Sequence, residues 1–114
     1  MAEHTRSALH LAQAKKYAQQ AIDGRNRGGA NWRDDPVVAA GITHLVEACA
    51  EHMGNIPRDA QVRYPEVPWQ PMADFRNIAA HAYHRVNLDI VDAIVRESLT
   101  VLIPQIDRML TDGV

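Results

Sequence analysis

The sequence predicts an all-α fold, a compact bundle of four to five helices, from two observations. Apolar residues recur every three or four positions over most of the chain, and no stretch alternates with period two for long enough to form a strand. The apolar fraction of 46% contains much alanine, whereas the aromatic residues are three Tyr, two Trp and one Phe. Alanine-rich, aromatic-poor cores suit closely packed helices better than sheets. The length of 114 residues leaves room for one core, so residues 1–114 are expected to form a single domain.

The first predicted helix covers about residues 4–22, where apolar side chains fall at helical spacing (Leu11, Ala14, Ala18 and Ile22). Gly24 is expected to end it. Residues 24–31 are rich in glycine and asparagine, a composition typical of a mobile loop. We therefore expect residues 24–33 to form a flexible arm that reaches a ligand or a partner.

The second predicted helix has well-marked ends. Asp35 can cap its start, and Pro36 occupies the first turn, where its missing N–H costs nothing. Gly54 is expected to end the helix. Between these ends lies a broad apolar face, formed by Val38, Ile42, Leu45, Val46, Cys49 and Met53.

Four prolines in residues 55–71 predict turns and short helical pieces there. A third helix is expected to begin at the Pro-Trp pair 68–69 and to reach about Tyr83. The last helix is long and is expected to begin at an Asn87 cap. Because proline removes a helical hydrogen bond, we expect this helix to be bent or broken near Pro104. Its apolar ladder comprises Leu88, Val91, Val95, Leu99, Leu102, Ile106 and Leu110.

Composition narrows the cellular setting and the class of partner. The single Cys49 cannot form an internal disulfide, which favours a cytoplasmic protein. No apolar run approaches the roughly 18 residues that span a bilayer, and the first ten residues lack the apolar stretch of a signal peptide. No membrane partner is therefore expected. The formal net charge of −2 argues against a protein that coats nucleic acid by bulk attraction.

Arginine is nevertheless distributed in a way that suits local phosphate contacts. Ten of the twelve basic residues are Arg, whose planar guanidinium grips phosphate through two donors. Arg25 and Arg27 lie in a stretch without acidic residues, and Arg85 lies in the middle of the chain. These three are candidate RNA-binding residues, with solvated surface arginines as the commoner alternative.

The side chains best suited to chemistry lie in residues 76–83, which contain Arg76, Asn77, His81 and Tyr83. On an ideal helix His81 is rotated by roughly 140° from Arg76. The two side chains converge only if the helix end loosens or if a second subunit supplies part of the group.

Structural interpretations of the same residues stay open at this point. Arg76 can form an ion pair with Asp74 or Glu66, and Tyr83 can be an interface aromatic. Two groups of histidines allow a metal site as a weaker alternative. His44 and His52 share one helix face two turns apart, and His84 closely follows His81. His44 and His52 would need ligands from other helices, and no metal is assigned.

The surrounding residues resemble the HepT-like branch of the HEPN superfamily. Members of that branch carry a Pro-Trp pair, an Arg-Asn pair, an R-x4-H-x-Y motif and a Val-Asp/Asn step before the last helix. The corresponding residues here are Pro68-Trp69, Arg76-Asn77, the set Arg76, His81 and Tyr83, and Val86-Asn87, with Glu47-Ala48 as a further similar pair. The resemblance covers nearly the whole chain, most clearly residues 36–110. The arm at 24–33 and the pair Val46-Glu47 depart from the family pattern.

This resemblance implies the toxin of a type II/VII-like toxin–antitoxin pair, a metal-independent endoribonuclease that uses no cofactor. His81 would move a proton and Arg76 would stabilise charge on the phosphoryl oxygens. Asn77 would orient His81 or donate to a phosphate oxygen. Attack by the ribose 2′-OH restricts the substrate to RNA. A homodimer would supply both an acid and a base from identical residues.

The resemblance also implies a minimal nucleotidyltransferase as the antitoxin, with Tyr83 as the residue that it modifies by adenylylation (AMPylation). The alternative is a non-catalytic helical binding partner or regulator of a nucleotidyltransferase. The intact pair of Arg76 and His81 favours the enzyme, because a scaffold has no need of it.

Overall fold

The computed structural model describes residues 2–114, apart from the side chains of residues 2–4 and 83. Its α-helices are α1 (Ala2–Gly28), α2 (Pro36–Gly54), α3 (Arg58–Arg63), α4 (Trp69–His81), α5 (Leu88–Ala93) and α6 (Leu99–Asp112). A π-helical segment, Ile94–Ser98, joins α5 and α6 into one long last helix, so the bundle has five helices over the described residues. No strand occurs in residues 2–114, and the all-α prediction is confirmed.

The first helix is longer than predicted. α1 continues past Gly24 to Gly28 and is followed by a 3₁₀ segment, Gly29–Asp34, so the predictions of a mobile loop and of a flexible arm at 24–33 are wrong. Tertiary contacts outweigh the low helix propensity of glycine here. Trp32 is buried, and a Cβ on Gly28 would lie 2.7 Å from its Cβ. Gly29 ends the helix with φ +70°, a left-handed conformation that glycine adopts without strain.

Asp92 of α5 is a buried carboxylate that holds the segment after α1 against the last helix. Its Oδ1 accepts from Arg25 Nε at 2.9 Å and from Trp32 Nε1 at 3.0 Å. Its Oδ2 lies 3.2 Å from Arg33 Nη2 and 3.5 Å from Arg96 Nη1. Burial raises the pKa of Asp92, but the hydrogen bonds from Arg25 and Trp32 and the nearby guanidinium charges lower it by more. The pKa therefore lies below its ordinary value.

The predicted helix starts at α2 and at the last helix are confirmed. Asp35 Oδ1 accepts the backbone N–H groups of Val37 at 3.0 Å and Val38 at 3.3 Å. Asn87 Oδ1 accepts the N–H of Asp89 at 2.8 Å. The Pro-rich connection contains the short α3, as predicted.

The last helix continues through Pro104 without a break. Pro104 leaves the Thr100 carbonyl without its helical donor, and both residues are exposed, so water can satisfy that carbonyl. Hydrogen bonding departs from the α pattern earlier, where the Leu99 N–H donates to the Ile94 carbonyl five residues before it.

The core lies between α1, α2 and the last helix. α1 packs along α2 and α6, and α2 also packs against α4. The buried apolar residues of α1 are mostly alanine, and those of the last helix are larger. They are Leu11, Ala14, Ala18 and Ala21 on α1 and Val91, Val95, Leu99, Leu102, Ile106 and Met109 on the last helix. α4 buries only Phe75 and Ala79, so most of its remaining side chains are available to solvent or to a partner.

Over the described residues, no helix is both long and apolar enough to cross a membrane.

Candidate active site

Helix α4 carries Arg76, Asn77 and His81, and it stays regular through His81. The Ala82 N–H still donates to the Ile78 carbonyl at 2.8 Å. Over five residues of an unbroken helix the chain rises about 7.5 Å and turns about 140° beyond one full turn. The helix end therefore does not loosen before His81, and one chain alone does not bring its side chain against that of Arg76.

Arg76 is held at the surface by one ion pair and one hydrogen bond. Its Nη1 lies 3.6 Å from Glu51 Oε2 on α2, and its Nη2 donates to Asn77 Oδ1 at 3.2 Å. The Arg76 side chain is 32% exposed and that of Glu51 is 58% exposed, so solvent screens their attraction. An anionic ligand can compete for this guanidinium.

The C-terminal turn of α2 leaves space for Arg76. A Cβ built on Gly54 would lie 3.1 Å from Arg76 Nη1, so any side chain there would force the guanidinium to move. Gly54 does end α2, as predicted, but the next residue, Asn55, is right-handed, so the glycine serves this close approach rather than a left-handed cap.

The ion-pair partner expected for Arg76 is corrected by the structure, which gives Glu51 where Asp74 or Glu66 was expected. Asp74 accepts from Gln70 at 2.9 Å, and Glu66 lies 3.5 Å from Arg108. Sequence reasoning missed Glu51 and Gly54, because only the packing of α2 against α4 brings them to Arg76.

Asn77 contacts Arg76 rather than His81. Its side-chain oxygen accepts from the guanidinium, and its amide nitrogen is a donor of the kind that a phosphate oxygen accepts. His81 is exposed in the last turn of α4. A ligand can therefore reach both residues from solvent.

The chain leaves the helix immediately after His81. Ala82 has φ −141° and ψ 49°, and Tyr83–Arg85 form one 3₁₀ turn that carries the exposed Arg85. The third helix thus ends two residues before the predicted end at Tyr83. The Tyr83 side chain, assigned as the modification site, lies outside the described part of the structure.

The other candidate RNA-binding arginines lie at the end of α1. Arg27 is exposed, whereas Arg25 is mostly buried against Asp92 and has a structural contact there. A role of these residues or of Arg85 in binding RNA stays a prediction.

The histidines considered for a metal are dispersed. His52 pairs with His10 of α1, with 3.0 Å between their Nδ1 atoms, and His44 is exposed. His84 borders a hollow with Pro36 and Thr43. Within the described residues, no group of three or more His, Cys, Asp or Glu side chains is placed to hold a metal ion.

Comparison with known proteins identifies relatives over most of the chain. The profile of the family described as Ribonuclease HepT-like matches residues 9–109. A protein of Methanocaldococcus jannaschii named a "putative RNase" is 31% identical over 71 residues, which is 62% of this chain and 59% of that protein. A protein of Thermococcus cleftensis named "probable ribonuclease HepT" is 29% identical over 68 residues, which is 60% of this chain and 62% of that protein. The matched stretch thus spans about three fifths of these relatives, and no solved structure matches the chain.

Proposed function

Because this chain belongs to the HepT-like ribonuclease family, we propose that it is a toxin that cleaves RNA without a metal ion. In this proposal the 2′-oxygen of a ribose attacks the adjacent phosphorus while its proton passes to His81. The bond from phosphorus to the 5′-oxygen breaks, and a second His81 donates a proton to that oxygen. The products are a 2′,3′-cyclic phosphate and a 5′-hydroxyl, and Arg76 stabilises the charge on the phosphoryl oxygens.

The observation that carries this proposal is the partly exposed guanidinium of Arg76. It is held by one Glu51 contact and one Asn77 contact, so a phosphate can replace Glu51 as its anionic partner. Within one chain His81 lies on a different side of α4. We therefore place the reaction at the interface of a homodimer, where two copies of α4 supply both histidines.

We further propose that a nucleotidyltransferase antitoxin silences the toxin by transferring AMP to Tyr83. The phenolic oxygen would attack the α-phosphorus of ATP and release pyrophosphate. The added phosphodiester would then lie on the 3₁₀ turn that begins two residues after His81. There it would compete with the RNA phosphate for the Arg76 guanidinium and would fill the candidate active site.

The test of catalysis is to incubate the purified chain with tRNA and total RNA in EDTA and to identify the ends of the products. We expect cyclic phosphate and 5′-hydroxyl ends. Arg76→Ala and His81→Ala should each lower the cleavage rate by about 100-fold or more. Because Arg76 is only lightly held and His81 is exposed, the melting temperature should stay nearly unchanged.

Matched controls are Arg63→Ala and His44→Ala, which change the same residue types at exposed positions outside the motif. Both should keep full activity. Absence of cleavage in every preparation, together with stable binding to a co-expressed nucleotidyltransferase, would favour the non-catalytic regulator instead.

The test of modification is mass spectrometry after co-expression with the nucleotidyltransferase. We expect AMP on the peptide that contains Tyr83 and none on the Tyr83→Phe variant. A silenced but unmodified toxin would show that the antitoxin acts by covering the site.

A further inference from the structure

A groove of 640 Å³ begins at Arg76. It has α4 on one side, and α3 and the end of α2 on the other. α2 contributes Met53 and Gly54, and the first turns of α4 contribute Pro71 and Met72. A volume of this size suits a ligand as large as a nucleotide. The groove is therefore continuous with the candidate active site but extends away from His81.

The charges of the groove favour an anion. Two arginines line the groove, Arg58 on α3 and Arg76 on α4, so each of these two flanking helices carries one guanidinium. Arg58 is exposed and forms no ion pair within the described residues. Glu66 is the one carboxylate among the described lining residues, so two arginines outnumber it in the groove. Its charge is also reduced by Arg108, which lies 3.5 Å away in an exposed ion pair.

The remaining walls suit a nucleobase. Val62 is 65% exposed at the groove, and Pro65 and Pro71 are further apolar lining residues. A base gains stability by placing its face on such a surface. Gln61 is held by the hydrogen bond from its Nε2 to the Ile56 carbonyl at 2.8 Å, which leaves its side-chain oxygen to accept from a base edge.

We propose that this groove binds the nucleotide next to the scissile phosphate, with the RNA backbone between Arg58 and Arg76 and the base against Val62. This proposal rests on the proposed function, because it assigns the phosphate at Arg76 to the substrate of that reaction. Two separated cations beside an apolar wall match a single-stranded polynucleotide, whose charges repeat along the backbone and whose bases present flat faces.

The experiment measures binding separately from cleavage. The probe is a 5′-fluorescein oligoribonucleotide of about 12 nucleotides with 2′-fluoro groups throughout, which has no 2′-OH and cannot be cleaved by the proposed reaction. Fluorescence anisotropy gives its Kd for the full chain over a range of salt concentrations. Arg58→Glu should raise Kd by about tenfold or more. It should also lower the slope of log Kd against log salt concentration by about one, because about one counterion fewer is released on binding.

Arg63→Glu is the matched control, since it reverses the same charge on the same helix, at an exposed residue outside the groove. We expect it to change Kd by less than about twofold. Ala73→Phe, which fills the groove from α4, should weaken binding without a new charge. Melting curves identify any variant that fails to fold.

The outcomes separate this proposal from the proposed function. If Arg58→Glu and Arg63→Glu bind the oligonucleotide equally well and RNA cleavage is intact, the groove proposal is overturned. The proposed ribonuclease function is then unaffected. Loss of oligonucleotide binding in Arg58→Glu alone supports the groove even if no cleavage is ever found. Unchanged RNA binding combined with lost capture of a co-expressed nucleotidyltransferase would assign the groove to a protein partner and overturn the proposal.

Discussion

Asp92 brings together four side chains that the sequence places up to 67 residues away. Because its carboxylate is buried and carries a negative charge, its loss leaves Arg25 and Arg33 facing each other without compensation. We expect Asp92→Asn to lower the free energy of unfolding by about 2 kcal/mol, measured by urea denaturation at neutral pH. The partial exposure of Arg33 and Arg96 limits the loss.

The control for this change is Asp107→Asn, which removes a surface ion pair to Lys15 at 2.7 Å. Both partners are well exposed, so its effect should be within a few tenths of a kcal/mol. Equal losses from both variants would show that burial is not the cause. The contribution of Asp92 to the stability of the fold is fully present above the ordinary carboxyl pKa of 3.8. It disappears as pH falls through the lower pKa that Asp92 has in the folded state.

The contact between His10 and His52 predicts a second pH dependence. Burial lowers the pKa of His52 and the charge of His10 lowers it further, while Glu51 opposes this shift. The folded state therefore favours neutral His52, and stability is lost as pH falls from the ordinary value of 6.5 toward the lower folded pKa. We expect the melting temperature to fall over this range.

His52→Asn should reduce that pH dependence, because the pair can no longer acquire two charges. His44→Asn, at an exposed position on the same helix, should leave it unchanged. Calorimetric scans between about pH 7 and pH 5 measure both. Identical slopes for His52→Asn and the unmodified chain would contradict the prediction.

At the scale of the helix, α1 allows a paired test of its two glycines. Gly28→Ala places a methyl group 2.7 Å from the Trp32 Cβ, so we expect a loss of about 1–3 kcal/mol despite the better helix propensity of alanine. Gly24→Ala meets only Ile42 Cγ1 at 3.7 Å, an ordinary contact. That variant should be neutral or more stable by up to about 1 kcal/mol.

Thermal unfolding of both variants is the measurement. A stable Gly28→Ala protein would show that Trp32 can move at little cost.

The helices that could be predicted are those whose ends depend on neighbouring residues. Asp35 and Asn87 cap the helix that directly follows each of them, so the sequence alone indicates both starts. The continuation of α1 through Gly24 could not be predicted in this way, because it depends on contacts with the distant Asp92 and on the burial of Trp32.

In the candidate site, too, the features that could be predicted are those set by neighbouring residues. Arg76, Asn77 and His81 are recognisable because they lie close together in the sequence and form a motif. The contact with Glu51 and the space at Gly54 arise only when α2 packs against α4, so no local pattern reports them.

At the scale of the whole molecule, the separation of Arg76 and His81 predicts a homodimer. Sedimentation should give twice the mass of one chain at micromolar concentrations. α4 leaves Ile78 48% exposed, and this is an apolar surface that a second copy can cover.

A mixing experiment tests whether both histidines act in one reaction. If each reaction needs two His81 side chains, co-refolding equal amounts of unmodified chain and His81→Ala should leave about a quarter of the activity, the fraction of fully intact dimers. If each chain acts alone, about half should remain. The second result would contradict the shared site.

The π segment Ile94–Ser98 has a consequence for how the length of this chain can vary among relatives. The wide turn that ends with the Leu99 N–H bonded to the Ile94 carbonyl contains one residue more than a regular turn. Removing one residue there would restore an ordinary α-helix and leave Val91 and Leu102, which flank the wide turn, on their present buried sides, because that turn already absorbs the extra residue. A one-residue gap inside this helix in an alignment would therefore be compatible with the same fold, whereas a gap elsewhere in it would turn half of its apolar face toward water.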